Sequence, residues 1–162
     1  MLRAAASSSA CLPVDARYSR AMPEGLNLSL LERLGVLADQ LVADLAADAC
    51  AISRVIGDVL ILVVERVTEG KTLLSGQGYL IPDYPQTAEV LATRNPRALT
   101  LADEDVDAAE ARVLREQGFS ALMMLPLDLN DAAWGLIEVY REQPLAFSET
   151  DVRRAVELSR VS

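Results

Sequence analysis

The chain has 162 residues, 51% apolar and 24% charged, a composition that suits one globular domain and excludes wholesale disorder or a fibrous fold. With 15 basic against 24 acidic residues the net charge is −9, which repels phosphate backbones and anionic lipid, so neither nucleic acid nor a membrane surface is an expected partner. Histidine is absent, which removes the commonest general base, the imidazole-dependent nucleophile triads, and histidine ligation of haem or zinc; neither an enzyme nor a metal site is expected.

Residues 1–27 show no sustained period and are rich in Ala, Ser, Pro and Gly, the pattern of an N-terminal arm. Arg3 is followed by Ala and Ser rather than an apolar run, so no signal peptide is read there. The domain spans 28–162. Leu30, Leu34, Leu37, Leu41 and Leu45 recur at helical steps, with Leu31 and Val42 widening the stripe, and predict a first helix over 28–47. The period then changes. Strands are predicted over 49–56 and 59–67, joined at Gly57-Asp58, and a third over 73–81 after a turn at Glu69-Gly70-Lys71.

Pro82-Asp83-Tyr84-Pro85 breaks that strand, and Asp83 with Gln86 resembles a capping box opening a helix through Thr93, which Asn95-Pro96 stops. A short strand over Arg97–Leu101 would bring the sheet from five strands to six. The acidic stretch Asp103 to Asp107 lacks calcium-loop spacing and reads as the approach to a short third helix, capped by Gly118. Strands over 119–129 and 132–141 meet at Asn130-Asp131, and their hairpin is expected at the centre of the sheet. Ser148 and Asp151 open a last amphipathic helix that runs to Ser162 without a stop signal, so the chain is expected to continue beyond it. This order is an α+β layout with a single antiparallel sheet.

Two cysteines, Cys11 and Cys50, with no CxxC pair fit a reducing cytoplasm. The longest apolar run, Val59–Val64, is too short to span a bilayer. Gly76-Gln77-Gly78 has neither a third glycine nor a following helix, so no phosphate loop is read.

Three segments carry a family resemblance: DACAISRVIGDVLILVVERV, GYLIPDYPQTAEVLATRNP, and FSALMMLPLDLNDAAWGLIEVYREQPLAFSETDVRRAVELS. The chain resembles a GAF domain, the small sensory module of bacterial signalling proteins, over roughly 28–162. The resemblance is most specific at Trp134-Gly135-Leu136-Ile137-Glu138-Val139, Phe147 and the Ser148-Glu149-Thr150-Asp151 helix start. It implies a GAF-like sheet with the N- and C-terminal helices on one face, and a ligand cavity between the other face and the mid-domain helices and loops. The departures also matter. No cysteine stands near the mid-domain helices, where bilin-attaching members carry one, and the only lysine, Lys71, lies in a turn; bilin, haem and cyclic nucleotides are therefore unsupported, and no cofactor is expected.

Six residues are candidates for the ligand site. Tyr79 and Tyr84 flank the turn where the resemblance puts the cavity mouth, and Thr87 adds a hydroxyl. Arg112 is a cation for an anionic ligand, and Met123 an adaptable pocket wall. Glu138 shares a strand face with Trp134, Leu136 and Tyr140, and needs Arg54 or Arg112, a wetter position, or a ligand as partner. The expected function is a non-catalytic regulatory sensor that binds a small molecule and signals through its terminal helices. It is expected to form a parallel homodimer through 28–47 and 148–162, because the leucine stripe exceeds what one sheet face covers, and to sit in a longer chain with an effector domain. The other reading is a ligand-free dimerisation or protein-interaction module. An enclosed void of about 300 Å³ or more with polar groups pointing in favours the sensor, and a cavity filled by Met123, Trp134 and Tyr84 favours the scaffold.

Overall fold

A computed structural model describes residues 28–68 and 78–160. The arm over 1–27, the turn at 69–71, the start of the expected third strand over 73–77 and the last two positions lie outside the described residues. The elements run α1 (Leu28–Asp44), β1 (Ala49–Ile56), β2 (Val59–Val67), β3 (Gly78–Leu80), a 3-10 turn at Ile81–Asp83, α2 (Pro85–Thr93), β4 (Arg97–Thr100), α3 (Ala108–Gln117), β5 (Ala121–Leu129), β6 (Ala132–Arg141) and α4 (Glu149–Ser159).

The strands form one six-stranded antiparallel sheet in the order β3-β2-β1-β6-β5-β4. The α+β class is as read from the sequence, and the short strand after Asn95-Pro96 is present as β4. The centre differs. It is the long-range pair β1–β6, with Ala51 opposite Glu138, and the β5–β6 hairpin lies to one side of it because β6 spends its other edge on β1. Both tight hairpins use left-handed turn residues, Gly57 at φ 58° and Asn130 and Asp131 at φ 52° and 60°, as primed turns require.

α1 and α4 cover one face. Leu34, Leu37, Leu41 and Leu45 pack there with Cys50, Ile52, Met123, Leu125, Ile137, Val139 and Ala155. The sheet absorbs more of the leucine stripe than expected: these four leucines are at most 3% exposed, leaving Leu30, Leu31 and Val42 half-buried and Val36 in solvent. On the opposite face Ala49, Ala51, Leu60, Val90, Leu114, Leu122, Met124, Leu136 and Tyr140 form a second cluster under α2 and α3.

The helix starts mix local and distant capping. Ser148 and Asp151 form the capping box read from the sequence for α4, and Gly118, at φ 76°, ends α3. Asp83 does not cap α2. Its Gln86 N–H donates instead to Asp107 Oδ2 at 3.1 Å, while Asp107 Oδ1 accepts from Glu110 N–H, so one carboxylate serves two helices. Behind the other face, buried Arg141 donates to the carbonyl oxygens of Leu45, Leu145 and Ala146 and to Asp151, with its guanidinium 4.0 Å from the Phe147 ring centre. The end of β6 thereby holds the end of α1 and the start of α4. No helix among the described residues is long and apolar enough to cross a membrane.

Candidate functional site

A cavity lies over the centre of the sheet because β1 places its smallest side chains there. Ala51 and Ser53 face it, flanked by Leu60 and Leu62 of β2 and by Glu138 and Tyr140 of β6. Thr87 from the first turn of α2 and Glu110, Val113 and Gln117 from one stripe of α3 form the roof, and Tyr79 and Tyr84 complete the wall. Its volume is about 40 Å³, counted as space open to the centre of a water molecule. That admits about three waters or a molecule of similar bulk.

Its electrostatics are one-sided. Glu110 is buried and accepts a short hydrogen bond from the Thr87 hydroxyl, whose oxygen is also 3.5 Å from Met124 Sδ. Burial raises the Glu110 carboxyl, the Thr87 bond opposes that rise, and Asp107 adds to it. Glu138 retains some accessible surface, and that surface is cavity wall. Its carboxyl is pushed up to about 8, first by loss of solvation and then by Glu110, with a hydrogen bond from Tyr140 opposing the rise. Burial likewise raises the Tyr79, Tyr84 and Tyr140 phenols. Tyr79 and Tyr84 meet edge to face, with ring centres 5.8 Å apart and planes at 84°. No lysine or arginine among the described residues lines the cavity. Gln117 keeps a buried side-chain oxygen without a hydrogen-bond partner.

Of the six residues picked from the sequence, Tyr79, Tyr84, Thr87 and Glu138 come together on this cavity. Met123 does not. It is buried under α1 and α4, and its neighbour Met124 takes the cavity side. The reason is a bulge. Unbroken pairing from the Asn130-Asp131 turn, with Leu129 opposite Ala132, would put Met123 opposite Glu138; the extra residue Trp134 shifts the register, so Met124 pairs with Glu138 and Met123 with Val139. Trp134 leaves its expected face by the same step and packs on the terminal-helix side, where Arg54 lies 5.6 Å from its ring centre. Arg54 is therefore no partner for Glu138.

Arg112 is exposed on α3 and lies outside the cavity lining. It sits close enough to Tyr84 to hydrogen-bond its phenol, at the outer side of that wall. The helix period explains its position: with Ala111 and Leu114 buried and Glu110, Val113 and Gln117 facing inward, the position after Ala111 points away. That same period was the signal for Glu110 and Gln117, which sequence reasoning missed. Tyr140 was legible from its alternation with Glu138 along β6, whereas Ser53 was findable only through the β1–β6 register. Cys50 faces the terminal helices, and burial pushes its thiol well up. No group of His, Cys, Asp and Glu among the described residues is arranged to hold a metal ion.

A family model described as GAF domain matches residues 29–161. No curated protein sequence matches the chain. Among solved structures, the phycocyanobilin-bound GAF domain from a cyanobacterial phytochrome is 20% identical with a TM-score of 0.67, covering 88% of this chain and 83% of that one. The blue-light absorbing form of the Thermosynechococcus elongatus PixJ GAF domain is 20% identical with a TM-score of 0.68, covering 90% of this chain and 84% of that one. The cyanobacteriochrome receptor PixJ, solved in dark and illuminated states, gives 20% and 0.68, covering 82% and 91%. At such identity the likeness is one of fold.

Proposed function

The chain belongs to the GAF domain family, and from that premise we propose that it is a regulatory sensor that binds a small molecule in the cavity between the sheet and helices α2 and α3. The observation that carries this reading is the polar lining of the cavity, whose volume of about 40 Å³ is well below the roughly 300 Å³ expected of a sensor. The cavity is left open over the sheet centre by Ala51 and Ser53, and its walls carry several polar side chains. Of the three residues expected to fill a scaffold's cavity, Met123 and Trp134 pack on the other face, and Tyr84 stands in the wall. A module that served only as scaffold would have no use for a buried pair of carboxyls over its sheet centre, since burying such groups costs stability.

The bilins of the structural neighbours do not fit here. Among the described residues the one thiol, Cys50, is on the opposite face of the sheet, and a cavity of about 40 Å³ is far too small for a linear tetrapyrrole. The ligand is a compact polar molecule acting without covalent attachment.

Output runs through β6. Glu138 and Tyr140 face the cavity, and the next residue, Arg141, ties α1 to α4 through Leu45, Ala146 and Asp151. A ligand that moves Tyr140 therefore moves the anchor between the terminal helices. α1 and α4 are also joined by Arg154 and Asp44 at 2.6 Å. In this reading the two helices form the seam of a parallel homodimer in a longer bacterial signalling protein of the cytoplasm, with Leu30, Leu31, Val42, Val152 and Val156 as the apolar surface available to a partner.

A thermal-shift screen of small metabolites, repeated on Ala51→Leu, tests the binding reading. A ligand at 100 times its dissociation constant stabilises by about 2.7 kcal/mol, and cavity filling should abolish that gain. Stabilisation that survives in Ala51→Leu locates the ligand elsewhere and defeats the proposal. Sedimentation tests the seam: a monomer at high micromolar concentration, or a dimer insensitive to Leu31→Lys, removes it.

A further inference from the structure

The cavity offers acceptors and aromatic faces, and no cationic side chain lines it. Its carboxyl groups are Glu138 from β6 and Glu110 from α3, and its rings are Tyr79, Tyr84 and Tyr140. Gln117 adds a buried oxygen with no donor to satisfy it. Two donors are already spent, the Thr87 hydroxyl on Glu110 and the Tyr140 phenol on Glu138, which leaves the carboxyls as the charged groups of the wall. A bound anion would meet two carboxyls and no counter-charge. A neutral acceptor could take a donor from Ser53, Tyr79 or Gln117, but it would leave both carboxyls without a counter-charge.

We propose that the ligand of this cavity is a small organic cation of the amidinium, guanidinium or primary ammonium class, its N–H groups directed at Glu138 and Glu110 and its charge set among the tyrosine rings. The inference rests on the reading of the cavity as a ligand site and narrows it to one chemistry. The class follows from complementarity: a charged N–H donor satisfies both carboxyls, forms charge-assisted hydrogen bonds stronger than neutral ones, and gains from the negative ring faces. Size follows from the volume, which holds about three water-sized groups and so a ligand of only a few non-hydrogen atoms.

Binding should be linked to protons. The titratable groups around Glu138 are Tyr140 on its own strand, Glu110 on α3, Tyr79 on β3 and Tyr84 ahead of α2; β1 and β2 contribute only Ala51, Ser53, Leu60 and Leu62 on this face. Of these, Glu138 is the group poised to change charge between pH 6 and 9, because desolvation holds it near 8. A cation favours its ionised form, so affinity rises with pH through that range, and binding at pH 7 expels a proton from the carboxyl to solvent.

Acetamidinium, acetamide and acetate test the class, since the three have the same shape and differ in charge. Each is titrated into the whole chain with amide NMR shifts read at Thr87, Glu110, Val113 and Tyr140, and acetamidinium is followed by calorimetry in two buffers. The expected result is acetamidinium binding at these residues at least tenfold more tightly than either isostere, strengthening from pH 6 to 9 and releasing protons at pH 7. Glu138→Gln should lose the pH dependence while its spectrum stays folded, and Glu110→Gln should weaken acetamidinium binding while keeping that dependence. Equal or tighter binding of acetamide or acetate at the same residues overturns the cation class and leaves the cavity reading standing. No shift at the cavity with any of the three overturns the inference outright, and the metabolite screen then decides the broader reading on its own.

Discussion

Replacing Glu138 by glutamine isolates the largest electrostatic liability of the fold. The carboxyl is held near 8 in the folded chain against an ordinary value of 4.5. Between those values the unfolded chain has released its proton and the folded chain retains it, so folding takes up a proton and stability falls as pH rises across that window. Below it both states are neutral and the group contributes nothing; above it the full cost of a buried charge is present. At about 1.4 kcal/mol for each pH unit the interval bounds this cost at about 5 kcal/mol. Glutamine keeps the shape and never ionises. Thermal unfolding of both proteins without ligand should therefore coincide below about pH 4 and separate as pH rises, with Glu138→Gln melting up to roughly 15 °C higher at pH 9 at about 3 °C for each kcal/mol. The comparison cancels every other titrating group. Curves that stay parallel from pH 5 to pH 9 would refute a desolvated Glu138, and with it the picture of a carboxyl facing no cation.

Ala51→Leu fills the cavity from its floor and should change stability by no more than about 2 kcal/mol in either direction while removing small-molecule binding, measured by melting and by NMR titration. Gly135→Ala should destabilise by about 3 kcal/mol in urea unfolding, because the added Cβ would come within 2.1 Å of the Ser53 carbonyl oxygen where β6 presses on β1. Met123→Ala and Met124→Ala should each cost about 2–5 kcal/mol, yet only Met124→Ala should shift the resonances of Thr87 and Glu138, the outcome that checks the bulged register. Ser148→Ala removes one half of the α4 capping box and should cost about 1 kcal/mol, read from denaturant midpoints.

What the sequence determined by itself is what depends on near neighbours along the chain. The leucine spacing made α1, the alternating β-branched runs made the strands, and Gly57-Asp58, Asn130-Asp131, Gly118 and the Ser148–Asp151 pair placed turns and caps where local backbone chemistry demands them. The GAF segments carried the layer order, and with it the expectation that Tyr79, Tyr84, Thr87 and Glu138 belong to one region. Tertiary structure alone decided what rests on register and on distant pairing. The β1–β6 pairing at the sheet centre joins residues far apart in the chain, so Ala51 and Ser53 carried no sign that they would floor a cavity beneath Glu110. The capping of α2 by Asp107 rather than Asp83 is long-range in the same way. Most telling is Trp134: one unpaired residue in β6 exchanges Met123 for Met124 at the site, because side chains alternate at every step along a strand and a single insertion reverses all that follows.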